Sequence, residues 1–426
     1  MVEHGDLPPG WRVARLGEVC KKTLLANPGR QPDQEFTYID VSSVSNETYQ
    51  IVETKQILGV DAPSRARKLV QTDDVIFATV RPTLKRIAMI TAEINGQICS
   101  TGYCVLRANA EFLDPGYLYF YLLTTEVNQR VESLQKGATY PAINDSDLFA
   151  LPIPLPSLVE QRAIARTLRA VQEAREARRR ESALERERKA ALMQQLFTHG
   201  TRGEPRKVTE IGEMPENWQV VRLGQVVNFM SGGTPSKERS DWWVGAIPWA
   251  SPKDLKRPRL WDVQDHISED GLQNGSRLAP KGAIFVVVRG MILAKDIPVA
   301  LAEVPMAFNQ DIKAMIPSAD LCAEYLLYVL QSYKDNFVRI IGSSAHGTRR
   351  VETSGLEAFL LPLAPLREQA MMADVLHACD DKIDALEREG AALEEAFRAL
   401  LEELMTGRAP VTVLGEDYVL LPRSSH

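Results

Sequence analysis

The sequence predicts two α/β (α+β) domains joined by two long helices that form an antiparallel coiled coil, with a pseudo-twofold internal duplication. Three observations predict this. Blocks of sequence recur in the same order about 207–208 residues later. Proline-rich segments lead into two long amphipathic stretches, and those stretches carry opposite charge.

The first block is "GWRVARLGEV" (10–19), which returns as "NWQVVRLGQV" (217–226) and sets Trp11 on Trp218. "VIFATVR" (75–81) lies over "AIFVVVR" (283–289), placing Arg81 on Arg289. "YLYFYLL" matches "YLLYVLQ", "LVEQRAIARTL" (158–168) matches "LREQAMMADVL" (366–376), and "LMQQLFT" matches "LLEELMT". A unit of about 200 residues is too long for a solenoid repeat, so the chain is a tandem duplication.

In order along the chain, residues 1–150 and 214–360 form the two heads. They mix short β-branched runs such as "VIFATV" and "AIFVVV" with turn signals and late helical stretches, as compact mixed domains do. Residues 201–213 read as a linker and 408–426 as a C-terminal tail. "LPIPLPS" (151–157) and "LPLAPL" (361–366) open the helical segments 151–200 and 361–407. Proline is tolerated at a helix start and excluded from its interior, so the helices begin near Ser157 and near Pro365.

The second helix is nearly continuous in heptads: Met372, Leu376, Cys379, Ile383, Leu386, Leu393, Phe397, Leu400 and Leu404, with Gly390 as the gap. Such a pattern argues for a coiled coil. The first helix keeps Ile164, Leu168, Val171, Leu192 and Leu196, but Arg175, Arg178, Ser182, Glu185 and Lys189 occupy its middle. A thinner, shifted stripe of Ala174, Ala177, Leu184 and Ala191 is the rival seam. Looser packing, with ion pairs in the seam, is expected there. From Leu158 to Phe197 ten Lys or Arg stand against six Asp or Glu; from Leu366 to Met405 four stand against eleven. Opposite charge favours mutual pairing. Each helix spans roughly 60 Å at 1.5 Å per residue.

Composition excludes several classes. No apolar run reaches the length of a membrane span, and the N-terminus lacks the pattern of a signal peptide, so a cytoplasmic protein is expected. Five scattered cysteines without a CxxC pair read as reduced thiols, and six dispersed histidines offer no zinc site. The net charge of −6 gives no general attraction to nucleic acid, so any DNA binding must come from local patches. There is no GxxxxGK[ST] nucleotide loop, and no Asn/Asp-Pro-Pro-Tyr/Phe methyltransferase motif; "DPGY" (114–117) is better read as a helix-start turn.

Taken in order, "LPPGWRVARLGEV", "EIGEMPENWQVVRLGQV", "SGGTPSK", "WWVGAIPWASPKDL", "FNQDIKAM", "TVRP", "CSTGYCVLR" and "LPIPLPSLVEQRAIARTL" resemble the target-recognition domains and helices of DNA-specificity subunits of type I restriction–modification systems. The resemblance covers essentially the whole chain. It implies a non-catalytic protein that binds double-stranded DNA, each head recognising one half of a split site and the helices setting the spacer. It also implies two methyltransferase (modification) subunits as partners, restriction (motor–nuclease) subunits as further ones, and no membrane. No cofactor is expected on this chain; S-adenosylmethionine, ATP and Mg2+ belong to the partner subunits.

Base reading needs donors and acceptors at the groove edge, while phosphate contacts set orientation. The candidates in the first head are Arg81, Thr83, Lys85 and Arg86, followed by Lys136, Thr139 and Tyr140 in "KGATY". In the second head they are Ser231, Thr234 and Lys237 in "SGGTPSK", Arg289, Asn309 and Gln310, and His346, Thr348, Arg349 and Arg350 in "HGTRR". Each has a bland alternative: a strand-end arginine on carbonyls, an ordinary turn, or an amide that caps a strand. Trp242, Trp243 and Trp249 fit core or platform positions better than base stacking. Residues shared by the halves suit scaffold, and residues that differ suit discrimination. Two other readings stay open at this point: an interaction scaffold without DNA, and a DNA-modifying enzyme.

Overall fold

The computed structural model describes residues 7–137, 139–339 and 349–409, together with the backbone of the short strands Ile341–Ser343, Thr412–Leu414 and Asp417–Val419. The chain divides into two compact units, Met1–Arg180 with Leu386–His426, and Glu181–Ala385. Each long helix therefore contributes one part to each unit.

In the first unit, the run Val75–Ala78 is buried at every position and forms a central strand between Tyr103–Ala108 and Ile87–Met89. An unbroken apolar run suits a strand covered on both faces. A second four-stranded sheet orders Lys55–Leu58, Glu35–Ile39, Ile98–Ser100 and Ala66–Leu69, with one parallel pair. The apolar helix Pro115–Leu122 lies in the core, as a helix without a polar face must. Asp114 caps it by accepting from Tyr117 N–H, with Pro115 in its first turn, so "DPGY" is a helix start.

The second unit is built on a five-stranded sheet ordered Val227–Ser231, Ile312–Pro317, Ile284–Val287, Val299–Ala302 and Arg259–Leu260. A four-stranded sheet carries His266–Ile267, Ile247–Ala250, Met306–Phe308 and Leu278–Ala279. Antiparallel pairs predominate in both units, which makes the heads α+β. Residues 201–213 are more than a linker: Arg206–Thr209 pairs with Gly212–Pro215 as a hairpin. The C-terminal tail likewise contains paired strands, Thr412–Leu414 with Asp417–Val419.

The duplication repeats at the level of single hydrogen bonds. Arg12–Arg15 pairs with Pro152–Leu155, and Gln219–Arg222 with Leu360–Leu363. Tyr117 and Tyr325 donate to the carbonyls of Pro154 and Pro362. Gln161, nearly fully buried, accepts from Asp114 N–H and donates to the carbonyls of Phe112 and Pro156; Gln369 does the same with Cys322, Asp320 and Ala364. A buried amide with all its bonds made is neutral to stabilising, whereas one left unpaired costs about 1–3 kcal/mol. That asymmetry explains why the EQ pair of each helix start has so many fixed partners.

The long helices begin at Leu158 and Leu366, one residue after the expected starts. In each unit the helix segments run antiparallel. In the first, Arg175 pairs with Glu394 and Arg178 with Glu389 at 2.7 Å. In the second, Glu185 pairs with Lys382 and Lys189 with Asp380, both at 2.5 Å. The polar middle of the first helix is the seam: Arg175, Ser182 and Glu185 are 6–8% exposed. The shifted stripe is not used, since Ala177, Leu184 and Ala191 face solvent. Leu168 and Phe397 in one unit, and Leu196 and Leu376 in the other, bring the helices into the head cores. Each buried leucine contributes about 1.5–3 kcal/mol against about 0–1 for an exposed ion pair. Apolar ends hold the helices, and the buried ions between them select orientation and register.

Candidate nucleic-acid interface

In the first head the fully buried Asp74 accepts from Nε and Nη2 of Arg107, both at 2.7 Å, at the start of strand Val75–Ala78. This bidentate pair raises the Arg107 pKa and locks the strand that leads to Arg81. Val80 bridges to Ala142, and Arg81 N–H donates to the Pro141 carbonyl at 2.7 Å. The "VRPT" and "KGATY" segments, about 60 residues apart in sequence, thus form one surface. Arg81 is held at φ +48°, a left-handed conformation uncommon outside glycine, and its exposed guanidinium lies 5.5 Å over the Tyr140 ring. Tyr140 is 69% exposed, and Lys136 and Thr139 stand exposed beside it.

Two predicted cations point elsewhere. Lys85 Nζ donates to the Leu123 carbonyl at 2.9 Å, closing the end of helix Pro115–Leu122, and burial lowers its pKa. Arg86 donates to the Val44 carbonyl and more weakly to those of Val41 and Ser42. Both hold the head together rather than presenting a basic loop. Thr83 is half-buried between them and Arg81.

The second head assembles its candidates in the same region but one residue out of step with the sequence alignment: Arg289 takes the bridging place of Val80, and Gly290 heads the following turn where Arg81 does. Val351 N–H donates to the Val288 carbonyl, and Arg289 bridges to Arg350. Arg289, Arg349 and Arg350 are exposed, Arg289 standing 3.9 Å from Asp311 and Arg350 3.2 Å from Glu352. Asn309 is 7% exposed; its Oδ1 accepts from Asp311 N–H and its Nδ2 donates to the Asp311 carboxylate. It closes a turn and offers no free amide to adenine. Its neighbour Gln310 is exposed and bonded to Thr234. Ser231 accepts from Lys313, and Lys237 is exposed. His346 and Thr348 lie outside the described residues.

The glycines of "SGGTPSK" serve packing. A Cβ on Gly232 would stand 2.3 Å from the Phe308 carbonyl oxygen, and one on Gly233 2.4 Å from that of Gly275. The two glycines are pressed against strand Met306–Phe308 and the end of helix Glu269–Gly275, while Ser231, Ser236 and Lys237 of the same loop are exposed. Trp249 and Trp243 fasten it, donating from their indoles to the carbonyls of Gly233 and Ser236. Their rings meet edge to face at 4.9 Å, which makes them framework as expected.

Sequence reasoning passed over one basic feature. A cleft of about 790 Å³ beside Arg289 is lined by Lys253, Lys256, Arg257 and Lys334, with Met291 and Ile292 at its lip. The cluster "KRPR" (256–259) was the available signal, since grouped cations on a loop mark an anionic partner. Lys253 and Lys334 are engaged with Asp265 and Asp296, whereas Lys256 and Arg257 are exposed. The other arginine of the cluster, Arg259, is buried on Glu303 and Glu324. Among the described residues no group of His, Cys, Asp and Glu could hold a metal ion, and no helix is long and apolar enough to cross a membrane.

A family model described as "Type I restriction modification DNA specificity domain" matches residues 8–186 and 215–395, one copy per repeat. The specificity subunit of the Escherichia coli type I restriction enzyme EcoR124I/EcoR124II is 34% identical over 38% of this chain and 40% of its own length. The MjaVIII specificity subunit of Methanocaldococcus jannaschii is 25% identical over 96% of this chain and 95% of its own. A solved chain from a study of complex assembly and conformational transition in the type I restriction–modification system is 30% identical with a TM-score of 0.56, covering 94% of this chain and 99% of that one. The S subunit of a type I system from M. genitalium shares the fold, with a TM-score of 0.62 at 16% identity over 95% of this chain and 97% of that one.

Proposed function

The chain belongs to the type I restriction–modification DNA specificity family, and from that premise we propose that each head reads one half of a bipartite site in duplex DNA. The observation that carries this reading is the repeated construction of one exposed face per head. In both, an arginine two or three residues past the central strand, Arg81 or Arg289, lies at a bridge to a second segment that carries exposed cations, Lys136 in one and Arg349 and Arg350 in the other. The frame around the two faces is the same, whereas the residues shown to solvent differ, as two half-sites of different sequence require.

The paired helices set the separation of the half-sites and dock two methyltransferase subunits, with restriction subunits joining that assembly in the cytoplasm. Methyl transfer and cleavage belong to those partners, along with S-adenosylmethionine, ATP and Mg2+; this chain contributes recognition alone. Its cations would supply salt-dependent backbone affinity despite the acidic whole, because the interaction is local and screened within about 10 Å.

A methylome of the host tests the reading, as does methylation in vitro by the companion methyltransferase with and without this chain. A split methylated motif that appears only when this chain is present is expected. A continuous motif, or methylation by this chain alone, overturns it. Adding one heptad to both helices adds about 10 Å, close to 3 base pairs. An unchanged spacer in that variant overturns the ruler.

A further inference from the structure

We propose that the turn Met291–Ala294 of the second head carries an apolar wedge, Met291 with Ile292, that enters between bases of the DNA while the adjoining cations hold the bent backbone. The inference rests on the DNA reading of this face and specifies how that face acts.

Met291 is 76% exposed and Ile292 41%. Core packing explains their neighbour Leu293, which is 1% exposed and anchors the turn, but it gives no reason for the two side chains that point outward. Gly290, at φ +145°, lets the chain leave the strand and turn outward, in a conformation that side-chain-bearing residues rarely adopt. The exposed pair lies between Arg289 and Lys295, at the lip of the cleft that holds Lys256 and Arg257. On the DNA reading of this face, phosphates meet the cations and bases meet the apolar tip. Met and Ile are side chains that unstack a base step in this way.

The exposed pair is particular to the second head. In the first head the corresponding turn is Pro82–Leu84, with Arg81 where Gly290 stands, and it sets the buried Pro82 and the half-buried Thr83 at the places of Met291 and Ile292. The wedge thus serves one half-site, as two heads that differ in the residues they show to solvent allow.

The test uses the full chain and duplexes carrying the motif identified by methylation, with 2-aminopurine placed in turn at each step of the second half-site. Wild-type protein is expected to raise the fluorescence at one step, the sign of an unstacked base. The double variant M291A/I292A is expected to abolish that rise and to bind roughly tenfold more weakly. Its salt dependence should be unchanged, because no phosphate contact is removed. The variant K256A/R257A should do the reverse, lowering the salt slope by roughly one for each phosphate it no longer neutralises. Both pairs are exposed, so folding is not at stake. Wild-type binding without unstacking, or unstacking that survives in M291A/I292A, overturns the wedge and leaves DNA reading intact. Weaker binding by M291A/I292A when the wild type shows no unstacking assigns the tip to thymine methyl groups instead and also overturns it. Absence of salt-dependent binding by the wild type removes the DNA reading itself, and the wedge with it.

Discussion

In the first head Trp11 is half-buried and its indole donates to Glu160 at 3.1 Å; in the second Trp218 is 1% exposed and donates to Glu368 at 2.9 Å. Glu368 also accepts from Thr201 N–H, and the Trp218 ring packs edge-on against Phe197 and Tyr325. The same motif is thus a peripheral clasp in one copy and a core element in the other. Elsewhere the contrast runs the opposite way: the buried Asp74–Arg107 pair belongs to the first head, and in the second Ile316 stands at the strand position of Arg107. Duplication preserved the frame, made of the glutamine, tyrosine and strand-pairing contacts. Each copy then redistributed its stability and its surface around that frame.

Unequal cost is the sharpest test of that contrast. Trp218→Ala should destabilise by about 3–5 kcal/mol and Trp11→Ala by much less, measured by urea denaturation of the full chain. Equal effects would show that burial in the two copies is energetically the same. For Gln161→Leu and Gln369→Leu the expectation is parity, about 1–3 kcal/mol each, because each glutamine satisfies the same three backbone groups. A large difference between them would break the claim of a common frame.

Arg81→Ala and Arg289→Ala should each weaken DNA binding roughly tenfold and lower the salt slope by about one. Lys85→Ala should leave the slope unchanged and reduce stability instead, because its ammonium serves a helix end. If Lys85→Ala lowers the slope as Arg81→Ala does, the division between presenting and supporting cations in the first head is wrong.

The smallest effect concerns the helix seam. Lys382, with Arg188, holds the Glu185 carboxyl below its ordinary value of 4.5. Because the folded-state value lies below the unfolded one, this stabilisation is complete above pH 4.5 and is lost as the pH falls through the lowered value. The stability difference between wild type and Glu185→Gln should therefore shrink on acidification below pH 4.5. A difference that is constant from neutral to acid pH would show that the pair contributes no charge-dependent stability.

Much of this was legible from residues alone. The helix starts follow from prolines, because a proline ring forbids the helix interior but not its first turn. The heptad positions of the first helix stay in register through Arg175, Ser182 and Glu185, although polar residues there suggested that the seam could shift. Period outweighed polarity, because shifting to Leu184 would have rotated Leu168 and Leu196 out of the head cores. The site was less legible. Arg81, Lys85 and Arg86 are equivalent as a string, yet one is exposed on Tyr140 and two are spent on carbonyls.

The sequence by itself determined the duplication, the two mixed heads, the limits of the long helices and the charge that pairs them, since all of these rest on local pattern and period. The tertiary structure decided which polar groups remain available. Arg86 finds its acceptor at Val44 and Lys85 finds its own at Leu123, while Asn309 is closed by Asp311 and Gln310 beside it is left outward. Partners that lie tens of residues away in the chain leave no local pattern. A buried donor or acceptor must be paired wherever its partner comes from, so the surface on which recognition depends is what the fold's own hydrogen bonds leave over.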